Sequence, residues 1–191
     1  MPTVLAVSGS LRTGSYNTSL LRVATRMLEE KGATVTGFDF RAHPLPIYDA
    51  DLEKNEGFPE NVLLIKSAVR DADALLFAGP EYNAGPTPLL KNAIDWVSRR
   101  NADRGANNEF DGKVCAVVSA SPGQFGGVRA QYVYRNALSF LGAFVLPDLV
   151  TLPNAADAFD AEGRLLNERT GKALDSLTTK LLEVSSRLRG L

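Results

Sequence analysis

Small hydroxyl-bearing residues, glycines and one arginine follow the first apolar segment of the chain. Residues 8–17 read SGSLRTGSYN and stand directly before a helical pattern. Glycine lets the backbone turn several N–H groups toward one point, and a helix N-terminus carries partial positive charge. With the hydroxyl groups and the Arg12 guanidinium, this composition favours binding of a phosphate group. It is also common at an ordinary capped helix start, so the loop alone leaves both interpretations open.

Several well-known phosphate and metal chemistries do not fit this loop. It has neither the GKS/T ending of a P-loop nor the GxGxxG of a dinucleotide-binding fold. A tyrosine phosphatase with a loop at this place would need a nucleophilic cysteine there, and the loop has none. A receiver domain would need acidic residues at the strand ends to bind magnesium, whereas these strands end in Ser8 and Gly79. These four classes are therefore disfavoured.

Two later loops also combine turn residues with polar and aromatic side chains. Residues 79–88 read GPEYNAGPTP, and their three prolines and two glycines predict a rigid turn that can present fixed backbone groups to a planar ring, with Tyr82 beside it. Residues 119–127 read SASPGQFGG and offer Gln124 as a polar contact and Phe125 as a lid. Either loop alone is compatible with a purely structural turn. All three at one edge of a sheet would indicate a binding site.

The segments that must position these loops alternate between strand-like and helix-like patterns. Apolar runs predict five strands, at Val4–Val7, Thr34–Phe38, Ala74–Ala78, Val114–Val118 and Phe144–Leu146. Most are apolar on both faces, as parallel strands covered by helices on each side require. Apolar residues at three- and four-residue intervals predict helices over about 18–31, 59–71, 88–100, 128–142 and 168–189. We expect irregular structure at about 40–57 and 147–166.

This alternation predicts a three-layer α/β fold, with a five-stranded parallel sheet of order 2-1-3-4-5 and helices on both faces. The length of 191 residues predicts a single domain over residues 1–191. In such sheets, ligands bind outside the carboxyl ends of the strands where the winding reverses. We therefore expect the loops after the first, third and fourth strands to meet in one crevice.

Composition and charge exclude other classes of partner. The formal net charge of −1 and the absence of a basic run argue against nucleic acid. No apolar stretch approaches the roughly 20 residues of a membrane-spanning helix, and the N-terminus lacks the pattern of a secretory signal. The single cysteine, Cys115, lies in an apolar run and is expected to be buried and inert, which suits the cytoplasm. His43 has no cysteine or second histidine near it, so no metal site is expected.

Three segments carry a resemblance to a known family. GSLRTGSYN, PEYNAGPTPLLKNAIDWVSR and SASPGQFGGVRA resemble the signature stretches of the NADPH-dependent FMN reductases, which include quinone, chromate and azo-dye reductases. The resemblance implies a flavodoxin-like fold. It also implies an FMN enzyme that takes hydride from NADPH or NADH and reduces a quinone, free flavin, azo compound or metal oxyanion in ping-pong order. Members are typically homodimers or homotetramers.

The resemblance further implies which residues contact FMN. Those implied for the phosphate are Ser10, Arg12, Ser15, Tyr16 and Asn17, and those implied along the isoalloxazine are Pro80, Glu81, Tyr82, Asn83 and Ala84. Those implied on the far side of the flavin are Ser121, Gly123 and Gln124. No catalytic side chain is expected, because the flavin performs the redox chemistry. Ala84 departs from the aromatic residue of several chromate- and quinone-reducing relatives, which bears on substrate preference.

Two questions stay open at this level. A flavodoxin-type electron carrier would bind the same cofactor without turning over a substrate, although such carriers are usually more acidic and lack an arginine in the phosphate loop. The helical repeat at 88–100 puts Asn92, Asp95, Trp96 and Arg99 on adjoining outward positions. This mixture predicts a two-fold subunit interface, with residues near Arg129 and Tyr132 also at the contact and Asp95 facing the partner's Arg99.

Overall fold

The computed structural model describes residues 1–100 and 108–188. Its strands are β1 (Thr3–Ser8), β2 (Thr34–Gly37), β3 (Ala74–Ala78), β4 (Glu81–Tyr82), β5 (Gly85–Pro86), β6 (Val114–Ala120), β7 (Phe144–Val145) and β8 (Val150–Leu152). Its helices are α1 (Tyr16–Glu30), α2 (Ala50–Glu56), α3 (Glu60–Asp71), α4 (Pro88–Val97), α5 (Val128–Phe140) and α6 (Glu168–Leu188). The predicted end of the last helix, at 189, lies outside the described residues. None of the helices within the described ranges is long and apolar enough to cross a membrane.

The main sheet confirms the predicted strand order. It runs β2-β1-β3-β6-β7 with all pairs parallel, which is 2-1-3-4-5 for the five predicted strands. The fifth strand is divided, because β7 pairs with the start of β6 and β8 pairs with its end. Pro147, which lies between the two pieces and has no N–H to donate, accounts for the break. The sheet therefore has six strands rather than five.

Strand side chains alternate between two cores, one on each face of the sheet. Val4 and Ala6 pack with apolar side chains of α1 and α6, whereas Leu5 and Val7 pack with those of α3, α4 and α5. The same alternation continues along β3 and β6. Period-two alternation into two cores explains why these strands are apolar at every position. The arrangement fixes the carboxyl ends of β1, β3 and β6 side by side.

The outward face expected for the 88–100 helix is covered by the chain's own residues 44–58, which contradicts the interface prediction for Trp96. The Trp96 side chain is fully buried, its Nε1 donates to Pro46 O at 2.8 Å, and its ring packs edge-on against Tyr48 and Phe58. Irregular structure, as predicted for about 40–57, gives no indication of such a cover. In fact residues 40–57 include α2, which begins after the cap residue Asp49.

The two charged groups predicted to pair across a two-fold axis have partners within the chain. Asp95 accepts from Lys91 at 2.6 Å on the same helix, and Arg99 donates to Glu53 of α2 at 2.9 Å. Both charged groups are therefore used within one chain. Trp96, an aromatic residue among polar ones on α4, therefore packs inside the chain and does not form a subunit contact.

Candidate functional site

The loop after β1 has the features of an anion-binding turn. Ser15 caps α1, its Oγ accepting from Thr18 N at 3.4 Å, and its own N–H donates to Arg12 O at 3.2 Å. Ser10 Oγ accepts from Arg12 N at 3.3 Å. The guanidinium of Arg12 lies 4.9 Å from the centre of the Tyr16 ring and forms no ion pair with a described carboxylate. One cation is thus placed beside the N-terminus of a 15-residue helix.

Several backbone N–H groups in this loop have no hydrogen-bond acceptor within the described residues and could donate to a phosphate. No acceptor within the described ranges is bonded to the N–H groups of Thr13, Gly14, Tyr16 and Asn17. Gly14 has a φ of +66° and no atom within 4 Å of where a side chain would begin, so the loop is open at that point. Free amides at a helix N-terminus next to an unpaired arginine are suited to a terminal phosphate.

The side chain of Asn17 is committed to the protein rather than to a ligand. Its Nδ2 donates to Ala120 O at 2.8 Å and its Oδ1 accepts from Ala120 N at 3.0 Å, both buried. This pair ties the start of α1 to the end of β6. Any contact from Asn17 to a phosphate would therefore come from its backbone N–H.

The loop after β3 forms a tight hairpin of β4 and β5. The two residues at its turn, Asn83 and Ala84, both have positive φ, of 51° and 64°, as two-residue hairpins favour. Pro80 is buried at the base, whereas Tyr82 and both turn residues are exposed. The hairpin thus presents a short, conformationally restricted edge at the carboxyl end of the sheet.

The Glu81 carboxylate caps α5 instead of projecting into the crevice. Gly127 precedes the helix and provides no side-chain cap. The Glu81 carboxylate accepts from the N–H groups of Arg129 at 3.0 Å and Ala130 at 3.3 Å, and it pairs with the Arg129 guanidinium. That guanidinium lies 5.4 Å from the centre of the exposed Phe125 ring. Glu81 therefore joins the second loop to the third.

The loop after β6 turns back on itself through two left-handed glycines. Gly126 and Gly127 have φ of +59° and +87°, and a Cβ on Gly126 would lie 2.9 Å from the backbone N of Pro153. Ser119 Oγ, at the end of β6, donates to Gly126 O at 2.6 Å, and this hydrogen bond stabilises the turn. Ser121 Oγ accepts from Gly123 N at 3.1 Å, and Gln124 is exposed at the loop tip. No larger residue fits at position 126.

The three loops meet as predicted, and hydrogen bonds join them. Besides the Asn17–Ala120 pair, Thr87 Oγ1 donates to Gly9 O at 2.9 Å and links the second loop to the first. Thr87 is not among the predicted site residues. Its place directly before Pro88 is typical of a helix start and is the sequence signal that indicates it. Tyr134, 47 residues further along, contacts the same loop, and no local pattern could have indicated it.

A cavity lies beside the first loop and is lined in part by Ser10, Arg12 and Ser15. It has a volume of about 590 Å³, its lining includes residues 10–15 and 37–41, and it does not reach the second or third loop. Arg12, Arg22 and Arg41 are among its lining residues, and the Arg41 guanidinium donates to Leu11 O. The three loops are joined to one another by hydrogen bonds, and the place where they converge is the candidate site. No group of His, Cys, Asp or Glu suited to a metal occurs in the part of the chain described.

Comparisons with known proteins identify the family. The model of the family described as NADPH-dependent FMN reductase matches residues 2–157. The chain belongs to the NADPH-dependent FMN reductase family. An NAD(P)H-dependent FMN reductase of Pseudomonas aeruginosa is 41% identical over 189 residues, 98% of this chain and 97% of that protein. An NADPH:quinone oxidoreductase of Arabidopsis thaliana is 37% identical over 98% of this chain and 93% of its own length.

Among solved structures, a flavoenzyme NAD(P)H:(acceptor) oxidoreductase from Paracoccus denitrificans superposes with a TM-score of 0.81. It is 30% identical and covers 98% of both chains. This agreement confirms the flavodoxin-like fold. Membership of the FMN reductase family confirms the predicted FMN-dependent oxidoreductase that uses NAD(P)H, and it does not support the electron-carrier alternative.

Proposed function

We propose that this single-domain chain, residues 1–191, is an NAD(P)H-dependent FMN enzyme that reduces quinones, free flavins, azo compounds or metal oxyanions in ping-pong order. The observation that carries the proposal is the convergence of three hydrogen-bonded loops at the carboxyl ends of β1, β3 and β6. This is the ligand position of doubly wound sheets. When bound, FMN accepts hydride from NAD(P)H and passes the electrons to the acceptor.

The residues of this chain bind and orient FMN in the proposal and take no chemical step. The first loop would hold the phosphate with Ser10, Arg12 and Ser15 and with the backbone N–H groups of Tyr16 and Asn17. The residues that would contact the isoalloxazine from the second loop are Pro80, Glu81, Tyr82, Asn83 and Ala84. Those that would contact it from the third loop are Ser121, Gly123 and Gln124. The free amides of the first loop and the exposed edge of the hairpin support this assignment.

Ping-pong kinetics follow from one open crevice serving two substrates in turn. Tyr82 and Phe125 are 53% and 54% exposed, and they leave the mouth of the crevice accessible to one planar molecule after another. The nicotinamide ring must leave before a quinone can occupy the same place.

Anaerobic reduction by NADPH and by NADH tests the proposal. We expect the FMN absorbance of the loaded protein to bleach with at least one nucleotide and to return on addition of a quinone. Double-reciprocal plots should be parallel across acceptor concentrations. Bound FMN that neither nucleotide reduces within minutes would contradict the proposal and favour an electron carrier.

The working unit in this proposal is a homodimer or a homotetramer in the cytoplasm. Because α4 is covered, support for the contact now comes from α5, where Tyr132, Asn136 and Phe140 share one face. Tyr132 is 58% and Phe140 88% exposed. Two exposed aromatic side chains eight residues apart on one helix face, with an exposed asparagine between them, suit a subunit interface. The single free thiol, Cys115, fits a reducing compartment.

Sedimentation of the wild-type protein and of Phe140→Asp tests the interface. We expect an oligomer that shifts toward monomer in this variant, because a carboxylate would be buried at the contact. Ile47→Asp is the matched control, since Ile47 is 74% exposed on a different surface. A wild-type species of 20.6 kDa at micromolar concentration would contradict the proposed oligomer.

A further inference from the structure

One buried phenol lies beneath the hairpin and contacts both of its ends. Tyr134, on α5, is 1% exposed. Its hydroxyl accepts from Thr87 N at 2.7 Å, directly after β5, and donates to Pro80 O at 3.2 Å, directly before β4. The six residues between these two contacts form the hairpin. A single hydroxyl group therefore joins the start of the hairpin to its end.

The surroundings of Tyr134 leave it little freedom to move. A Cβ on Gly79 would lie 2.5 Å from Tyr134 Cε2, so the absence of a side chain at Gly79 permits the ring to lie there. Thr87, also 1% exposed, lies 3.2 Å from the phenol through its own hydroxyl and donates onward to Gly9 O. The first loop, the hairpin and α5 thus share one buried polar network.

Two backbone groups of this network have the phenol as their hydrogen-bond partner. Without the Tyr134 hydroxyl, the buried N–H of Thr87 would lose its acceptor, and Pro80 O would lose a donor. A buried polar group that loses its partner costs more than an ordinary hydrogen bond contributes. Burial also raises the pKa of Tyr134, so the hydroxyl keeps the proton that it donates at neutral pH.

We propose that Tyr134 is a positioning residue that clamps the hairpin and thereby sets the FMN affinity and potential of the site. The inference rests on the proposed function, since it takes the hairpin to lie along the isoalloxazine. Tyr134 makes its contacts through backbone groups below the hairpin, so its effect on the flavin is indirect.

Tyr134→Phe tests the clamp because it removes the hydroxyl and keeps the ring that packs against Gly79. Tyr48→Phe is the matched control. It also removes one phenol hydrogen bond, of 2.9 Å to Glu53, at a place outside the three loops. In apo-protein, we expect hydrogen exchange at the Thr87 amide to accelerate about tenfold or more in Tyr134→Phe and to stay at the wild-type rate in Tyr48→Phe.

In FMN-loaded protein, we expect the dissociation constant to rise about fivefold to tenfold and the midpoint potential to shift in Tyr134→Phe only. Thr87 exchange at the wild-type rate would overturn the clamp. Faster exchange with unchanged FMN affinity and potential would overturn the positioning role. A wild-type protein that does not bind FMN would instead overturn the proposed function, and the exchange measurement, made without FMN, separates that outcome from failure of the clamp.

Discussion

At the scale of single residues, several side chains implied as FMN contacts serve the protein itself. Asn17 bonds Ala120 at both backbone groups, and Glu81 caps α5 and pairs with Arg129. Arg12, in contrast, forms no hydrogen bond or ion pair through its side chain within the described residues. Of these three side chains, only that of Arg12 has its polar group available to bind a ligand. In the proposed site, we therefore expect the side-chain contribution to phosphate affinity to come chiefly from Arg12.

Replacing Arg12 tests this assignment. We expect Arg12→Ala to weaken FMN binding about tenfold or more, since a lost charge-assisted bond costs about 1.5–3 kcal/mol. Fluorescence titration of FMN measures the change. Arg26→Ala is the control, because Arg26 is also an exposed arginine of this region without a described ion pair but lies three turns into α1. Equal affinities for the two variants would contradict the phosphate assignment.

Cys115 gives a prediction for pH dependence. Its side chain is fully buried, and desolvation raises the pKa of the thiol far above its usual value. The neutral thiol is therefore favoured by folding. Its contribution to stability is fully present below the unfolded pKa of about 8.5 and decreases as the pH rises above that value, by at most about 1.4 kcal/mol per pH unit.

Unfolding by urea at several pH values measures this effect. We expect the free energy of unfolding to fall more steeply between pH 8 and pH 10 in the wild type than in Cys115→Ala. Thiol reagents should label Cys115 only in urea. Rapid labelling of the folded protein would contradict the burial, as would identical pH profiles for the two proteins.

At the scale of elements, the hairpin is a short unit with a locally unfavourable backbone. Ala84 has a φ of 64°, which non-glycine residues adopt at a cost. Its conformation is imposed by the β4–β5 pairing, by Glu81 on α5 and by Tyr134 beneath. Strain of this kind is frequent where a loop is held ready for a ligand.

Glycine at position 84 should relieve that strain. We expect Ala84→Gly to raise the free energy of unfolding by about 0.5–1 kcal/mol. The same substitution at Ala137, inside α5, should lower it by about 1 kcal/mol, because glycine is unfavourable within a helix. Thermal or urea unfolding of both variants gives the comparison, and a loss of stability in Ala84→Gly would contradict the strained turn.

At the scale of the whole molecule, the segment 44–58 acts as an outer cover on α4. Trp96 lies under it, Asn92 bonds Tyr48 N and Pro46 O, and Arg99 reaches Glu53. The cover therefore removes Trp96 from the surface that a second subunit could contact. Burial of the Trp96 side chain against the half-buried rings of Tyr48 and Phe58 contributes several kcal/mol to folding.

The chain has one tryptophan, so its fluorescence reports on this cover. We expect blue-shifted emission and weak quenching by acrylamide in the folded protein. Trp96→Ala should lose about 3–5 kcal/mol of stability and leave the oligomeric state of the remaining folded protein unchanged. Strong quenching, or dissociation into monomers without loss of stability, would restore Trp96 as an interface residue.

The sequence by itself determined the layers, the strand order and the three loops of the site. Strands buried on both faces must be apolar throughout, and glycine, proline and hydroxyl residues are required where the chain turns. These requirements act on neighbouring residues and are therefore visible in a linear pattern. The predicted runs at Val4–Val7, Ala74–Ala78 and Val114–Val118 all lie within observed strands.

Only the tertiary structure decided which side chains are free. Trp96 is covered by residues about 40 to 50 positions earlier, and Arg99 pairs with Glu53 of the same segment. Asn17 is bonded to Ala120, and Tyr134 holds a hairpin that begins 53 positions before it. Such pairings depend on how the elements pack against one another. Helical or strand periodicity shows which face of an element is apolar, but it does not indicate which distant residue a side chain will contact. An outward position on an isolated helix is therefore not yet a surface position, because another part of the same chain can cover it.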